Sequence, residues 1–181
     1  SVQFNQNLLK DTNSFSLVID DEADLRGLSP ASIEGAAKQA EPEGLPGKWV
    51  FKPTRASMYP FLRNSSDRDL RTRLYDGYLN RGNNDNQYDN KELARRMSAL
   101  RLEKARLMGY ETHAAYTLEN SMAREPEQVL KLLSQLWTPS LAMAKEEASA
   151  LQGMLDEEGQ NHRLRASDWW YYAEKIRQRK Y

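Results

Sequence analysis

The sequence predicts a mainly α protein, a multi-helix array with at most a small β element near residues 48–53. Three observations predict it. Proline stands at two helix starts, Pro30 and Pro126, where its missing N–H is harmless. Apolar residues recur at three- and four-residue spacing through most of the chain after Ser66. Gly109 follows one such stripe in the position that favours a left-handed helix end.

Taken in order, Ser29 caps a helix whose first residue is Pro30, with Ile33, Ala36, Ala37 and Ala40 on one face. The Gly44–Gly47 stretch, with Pro46 inside it, stops that helix. Lys48 to Pro53 follows as a short strand candidate with Trp49 and Phe51 on one side, and Pro53 favours an edge or a strand end. No second strong strand is visible. Ser66-Asp67-Arg68-Asp69 starts a helix in which Leu70, Leu74 and Tyr78 stack at i, i+4, i+8. The polar run Arg81 to Asn86 ends it.

Asp89 and Glu92 have the spacing of a capping box. The helix they open carries Leu93, Met97, Leu100, Lys104 and Leu107 on one face and closes at Gly109. A short helix is expected around Thr112 to Met122. Pro126 begins the next, striped by Val129, Leu132, Leu133, Leu136 and Trp137. Thr138-Pro139 interrupts the stripe, since an interior proline deletes a backbone bond and costs ~3 kcal/mol. Leu141, Ala144, Ala148, Leu151 and Leu155 nevertheless keep the period to Gly159. The expectation is a kinked helix, or two helices with Thr138 capping the second. Ser167 caps a final helix, Asp168 to Tyr181, with Trp169, Tyr172 and Ile176 on one face. Residues 1–181 read as a single segment, with 1–60 the less regular part and 66–181 the helical part.

Composition narrows the function. The 181 residues carry 26 Lys+Arg against 26 Asp+Glu, so no global field draws the chain to nucleic acid or to cationic partners. There is no cysteine, which excludes a disulfide framework, a thiolate nucleophile and a Cys-based zinc site, and fits a reducing compartment. The hydrophobic share is 39%, below the usual ~45–50%, yet a chain of this length can bury a core. No apolar run approaches the ~18 residues of a membrane span, and the N-terminus lacks a charged-then-apolar export signal. The first residue is Ser1 rather than Met, which reads as processing or as an internal piece of a longer chain.

Few residues offer chemistry. His113 and His162 are the only imidazoles, 49 positions apart, whereas a metallopeptidase helix needs two His four residues apart with a Glu between them. His113 reads as a histidine in the first turn of a short helix, and His162 as a solvated loop residue. The acidic run Asp20-Asp21-Glu22-Asp24 lacks the central Gly and terminal Glu of a calcium loop. It reads as a helix start made acidic by its dipole. Asn83-Asn84-Asp85-Asn86 reads as a hydrophilic turn. Residues 162–181 combine Arg163, Arg165, Lys175, Arg177, Arg179 and Lys180 with Trp169, Trp170, Tyr171, Tyr172 and Tyr181. Such interleaving can form a single-strand nucleic-acid platform. The plainer reading is an amphipathic helix whose cations complement its C-terminal dipole.

An ordered set of motifs runs along nearly the whole chain. It comprises Phe4-x-x-Asn7-Leu8-Leu9, Asp11-Thr12-x-x-Phe15, Leu25-x-Gly27-Leu28, Leu70-Arg71 to Tyr75 with Arg81-Gly82, and Asp89-Asn90-Lys91. The most specific are Leu100-Arg101-x-Glu103-Lys104-Ala105-x-Leu107-x-Gly109-Tyr110, with Met122-Ala123 behind it, and Asp168-Trp169-Trp170-Tyr171-Tyr172-Ala173-Glu174-Lys175. In this order they resemble the thimet-oligopeptidase-like zinc peptidases, and most of all the bacterial peptidyl-dipeptidase (dipeptidyl carboxypeptidase) branch.

The resemblance implies a large, mostly helical zinc peptidase acting on short peptides in a deep channel. The family's metal ligands and base, a His-Glu-x-x-His helix and a further Glu, follow the segment that resembles Asp168 to Lys175. None maps onto this chain. The expectation is therefore no catalytic, cofactor-binding or metal residue here: a non-catalytic helical portion of a zinc-dependent parent that removes C-terminal dipeptides. Zinc belongs to that parent, and none is expected in this segment. Short peptides would be the parent's substrates, with no nucleic acid and no membrane. The expected compartment is the cytoplasm, with the periplasm as alternative. A stand-alone helical module binding a protein or single-stranded nucleic acid through the C-terminal helix is the alternative function. Trp170 and Tyr171 fall outside the Trp169–Tyr172–Ile176 face, so an exposed aromatic patch on the last helix, and self-association through it, are also expected.

Overall fold

A computed structural model describes residues 1–181. Eight α-helices and one two-stranded sheet make up the chain: α1 Val2–Ser14, β1 Leu17–Ile19, α2 Pro30–Ala40, β2 Trp49–Phe51, α3 Arg55–Asn64, α4 Arg68–Leu79, α5 Lys91–Leu107, α6 His113–Leu118, α7 Pro126–Glu157 and α8 Trp169–Lys180. The mainly α expectation holds. Short 3-10 turns at Glu22–Leu25, Glu41–Glu43 and Ala166–Asp168 punctuate them.

The strand expected at 48–53 has a partner the sequence reading did not find. β1 and β2 pair antiparallel, with Leu17 opposite Phe51 and Ile19 opposite Trp49. Three residues between a helix end and an acidic run are too few to show alternation, which is why β1 escapes a pattern search. Residues 1–60, expected to be the less regular part, also carry α1, α2 and half of α3. The face that α1 buries is polar (Asn7, Asp11 and Thr12), so it has no apolar period to read. In α3 the breaker Pro60 sits inside the helix, between the buried Met58 and the buried pair Phe61 and Leu62.

The main core gathers Leu17, Ile19, Phe51, Met58, Phe61 and Leu74 between the sheet, α3 and α4. Each such side chain contributes roughly 1.5–3 kcal/mol by leaving water. Gly27 has φ +88°, and a Cβ there would lie 2.0 Å from the backbone oxygen of Asn64. Only glycine lets that turn close against the end of α3. A second, smaller core joins Leu151, Met154 and Leu155 of α7 to Tyr172 of α8.

Caps follow the sequence at several ends and depart from it at two. Ser29 accepts from the Ser32 N–H and Asp67 from the Leu70 N–H, as expected. Gly109, at φ +85°, closes α5 in a Schellman motif: its N–H reaches the Arg106 oxygen at 3.0 Å and the Tyr110 N–H the Ala105 oxygen at 2.9 Å. The Asp89–Glu92 capping box does not form. Asp89 accepts from the Lys91 and Asp85 N–H groups, α5 starts after Asn90, and Glu92 pairs with Arg95. Ser167 does not cap the last helix either. It is buried in the 3-10 turn that precedes α8. Pro139 neither ends nor divides α7, which runs as one 32-residue helix.

Candidate functional site

The buried polar residues of the chain converge on two joints, each built around one carboxylate. The first is Asp168, wholly enclosed in front of α8. On α4, Arg68, Arg71, Thr72 and Tyr75 share one face, because positions i, i+3, i+4 and i+7 line up. Arg68 forks onto the carboxylate, with Nη2 2.9 Å from Oδ2 and Nε 3.1 Å from Oδ1. Arg71 Nη2 donates to Oδ1 at 3.1 Å, and the Arg165 N–H donates to Oδ2 at 2.9 Å. Arg71 also donates to the Ser65 carbonyl, and Arg68 to the Arg163 carbonyl.

The rest of the face matches residue for residue. Thr72 and Ser167 share a hydroxyl hydrogen bond of 3.0 Å. Tyr75 and Tyr59 flank the Trp170 ring at 5.6 and 6.0 Å, and the Arg71 guanidinium lies 4.1 Å from the Tyr171 ring centre. Burial alone would raise the Asp168 carboxyl. The Arg68 hydrogen bonds, the Arg165 N–H and Arg71 outweigh burial and hold it below the usual carboxylate range.

The second joint is Asp11 of α1. Its Oδ2 takes the Gly82 N–H and the Asn84 amide, both at 2.7 Å, and its Oδ1 takes the Asn86 amide at 2.9 Å. Beside it, Asn7 donates to Asn90, which donates in turn to the Phe4 carbonyl. Burial pushes Asp11 up, and the Gly82, Asn86 and Asn84 donors reverse that and lower it. The stretch Asn83–Asn86, read as a plain hydrophilic turn, is therefore the clasp that ties loop 82–90 to the first helix.

A cleft of about 670 Å³ opens between α2, β2 and α3 and is lined by Asn13, Gln39, Glu43, Lys52 and Ser57 among others. Its one cation is committed: Lys52 Nζ is 2.6 Å from Glu43, 2.7 Å from Ser16 Oγ and 3.0 Å from the Asn13 carbonyl. Burial would raise the Glu43 carboxyl, but Lys52 and Ser16 bring it below its ordinary value. An ionised, paired carboxylate beside a paired ammonium supplies neither a free base nor an activated nucleophile.

His113 opens α6 with its ring 6.4 Å from Tyr116, and His162 lies in the loop after α7 near Arg26, Asp67 and Arg68. No three His, Asp or Glu side chains stand close enough together to hold a metal ion. Asp21 caps the 3-10 turn Glu22–Leu25 by accepting from the Ala23 N–H, which matches the dipole reading of the acidic run.

The last helix corrects one expectation. Trp170 and Tyr171 do not form an exposed patch; both are half-buried within the chain, against the main core and the smaller one respectively. Three of the six cations nearby are paired: Lys175 with Glu158, Arg177 with Glu174 and Arg179 with Glu157. Trp170 and Tyr171 are thus turned onto their own chain, while Tyr181 stays exposed at its end.

Both joints were missed as sites by the sequence reading, although Asp11, Arg71 and Asp168 stand in the motifs quoted above. A usable signal was the i, i+3, i+4 alignment of Arg68, Arg71 and Thr72 beside the Leu70–Leu74 stripe of α4. No helix of the chain is long and apolar enough to cross a membrane.

Comparison with known proteins agrees with the motif reading. The model of peptidase family M3 matches residues 61–181. The chain is 30% identical to dipeptidyl carboxypeptidase of Salmonella typhimurium over 179 residues, which cover 99% of this chain and 26% of that protein. It is 31% identical to oligopeptidase A of Haemophilus influenzae, with 99% and 27% covered. To the organellar oligopeptidase A of Arabidopsis thaliana it is 28% identical, with 100% and 24% covered. The chain thus spans about a quarter of the length of the curated relatives it matches.

Proposed function

Because the chain belongs to peptidase family M3, we propose that it is a non-catalytic helical portion of a zinc-dependent peptidyl-dipeptidase or oligopeptidase that cleaves short peptides. The observation that carries the reading is the similarity, over 99% of this chain, to proteins named dipeptidyl carboxypeptidase and oligopeptidase A. Removal of C-terminal dipeptides is the finer assignment, favoured by the motif order. In the parent, zinc would acidify a bound water that a Glu deprotonates. The two separated histidines and the arginine-bound carboxylates of this chain do not fit that metal, so no catalytic step is assigned to them.

What these residues do is hold shape. Asp168 locks α4 to the front of α8, and Asp11 locks α1 to the loop before α5, so these elements offer a fixed support to whatever packs on them. We propose the cytoplasm as the parent's compartment, with the periplasm as the alternative. The test is zinc content and hydrolysis of short peptides by the 181-residue chain. The expected result is neither stoichiometric zinc nor turnover. Tight one-to-one zinc, or hydrolysis abolished by a chelator, overturns the reading.

A further inference from the structure

The apolar stripe of α7 is covered at one end only. At Leu151, Met154 and Leu155 it is buried under α8. Over the first five turns of the helix, Leu130, Leu132, Leu133, Leu136, Trp137 and Met143 are each 54–65% exposed. At 100° per residue, Leu132 and Met143 mark one edge of the stripe and Leu130 and Leu141 the other, a band about 180° wide. The opposite side is polar, with Glu127, Lys131, Lys145 and Glu146. The six side chains leave on the order of 600–700 Å² in water, more than the ~300–600 Å² of the largest patch on an ordinary monomer.

We propose that these turns of α7 are the docking face for the part of the peptidase that lies outside these 181 residues, an inference that rests on the family reading above. Two observations choose this occupant. The relatives are about four times as long as the stretch they share with this chain, so their structures contain ample further surface. The band is also too wide for one partner. A second copy offering its own α7 covers one helix–helix seam, which is a narrower stripe than the ~100° a core-facing helix buries. A 180° band needs two elements or a concave wall.

These 181 residues contain no cysteine, so thiol labelling read by peptide mapping at the introduced position is a direct test, here and in the complete chain. Leu133→Cys lies on the band, and Lys131→Cys lies on the polar side of the same exposed turns. Neither substitution disturbs a buried contact. In the 181-residue chain the two thiols should react at similar rates. In the complete peptidase chain Leu133→Cys should react about tenfold or more slowly, since access governs thiol reactivity, while Lys131→Cys is unchanged. Equal rates in the complete chain overturn the proposal. So does protection of Leu133→Cys that grows with concentration in the 181-residue chain, which would give the face to a second copy. Zinc content and peptide turnover of the complete chain are read on the same samples. Turnover with an open Leu133→Cys breaks only the docking proposal, and a protected Leu133→Cys without zinc or turnover breaks only the peptidase reading.

Discussion

The body, made of the sheet, α1 to α4 and α8, and the arm, made of α5, α6 and the first five turns of α7, use the same amphipathic code with opposite outcomes. In the body, Leu70 and Leu74 at i, i+4 disappear into a core. In the arm, Leu100 and Leu107 of α5 and the Leu130–Trp137 stretch of α7 keep the same period and stay in water. Periodicity therefore reports that a helix has a face to bury, and says nothing about whether its partner lies in the same stretch of chain. The body differs in a second way: its long-range geometry is set by charge. Asp168 and Asp11 each reach across about 70 to 100 residues to their partners, and the arm has no such joint.

The contrast is broken most forcefully at Asp168. Asp168→Ala leaves Arg68 and the buried Arg71 facing an empty acceptor, and removing one partner of a buried pair costs ~3–5 kcal/mol. Urea unfolding should show that loss, and a loss below about 1 kcal/mol would mean that the joint does not hold the body. Its pH dependence has a definite sign. The folded carboxyl titrates below its ordinary value, so its contribution is complete above the unfolded pKa near ~3.9 and disappears as pH falls through the folded value beneath it. Asp168→Asn should flatten stability against pH in that acid window only.

Next in size is a pair of truncations on one helix stripe. Leu155→Ala, in the covered part of α7, should cost ~2–5 kcal/mol, because it leaves a cavity under α8. Leu133→Ala, in the uncovered part, should change the stability of the 181-residue chain by no more than ~0.5 kcal/mol. Equal losses in chemical denaturation would mean that the two halves of the stripe are buried alike in solution.

Asp11→Asn should follow, at ~1–3 kcal/mol. The asparagine keeps one acceptor but turns an NH₂ toward the amides of Asn84 or Asn86, and bonds to a charged acceptor contribute ~1.5–3 kcal/mol each. Amide exchange should quicken across residues 82–90 and leave the sheet protected. Faster exchange in the sheet instead would show that the clasp supports the core rather than the loop.

How much of this was legible in the sequence depends on what each element buries. Helices with apolar faces and conventional ends were readable: Ser29-Pro30 for α2, Asp67 for α4, Pro126 for α7 and Gly109 after α5. Those that bury polar groups or carry a breaker were not, as α1 with Asn7 and Asp11, or α3 with Pro60, shows. The position of Trp170 and Tyr171 was misread for a related reason. A helical wheel counts one face, but α8 is the element on which both cores meet, so Tyr59 and Tyr75 cover a side that the wheel leaves to solvent. The joints stayed hidden because a carboxylate with partners about 70 to 100 positions away looks, in one dimension, like any surface acid.

The smallest effect separates two roles for one hydroxyl. Ser167 has the sequence context of a helix cap, whereas the structure shares its hydroxyl with Thr72 across the joint at 3.0 Å. Both roles predict that Ser167→Ala costs roughly 0.5–1.5 kcal/mol, so the single variant decides nothing. A double-mutant cycle with Thr72→Val does decide. If Ser167 serves the joint, the first substitution already removes the shared bond, and the pair should cost less than the sum of the singles by ~0.5 kcal/mol or more. If Ser167 acts as a cap, Thr72 is irrelevant to it and the two losses add. Additive losses would reassign Ser167 to the start of α8 and leave the arginines as the only polar link between α4 and the last helix.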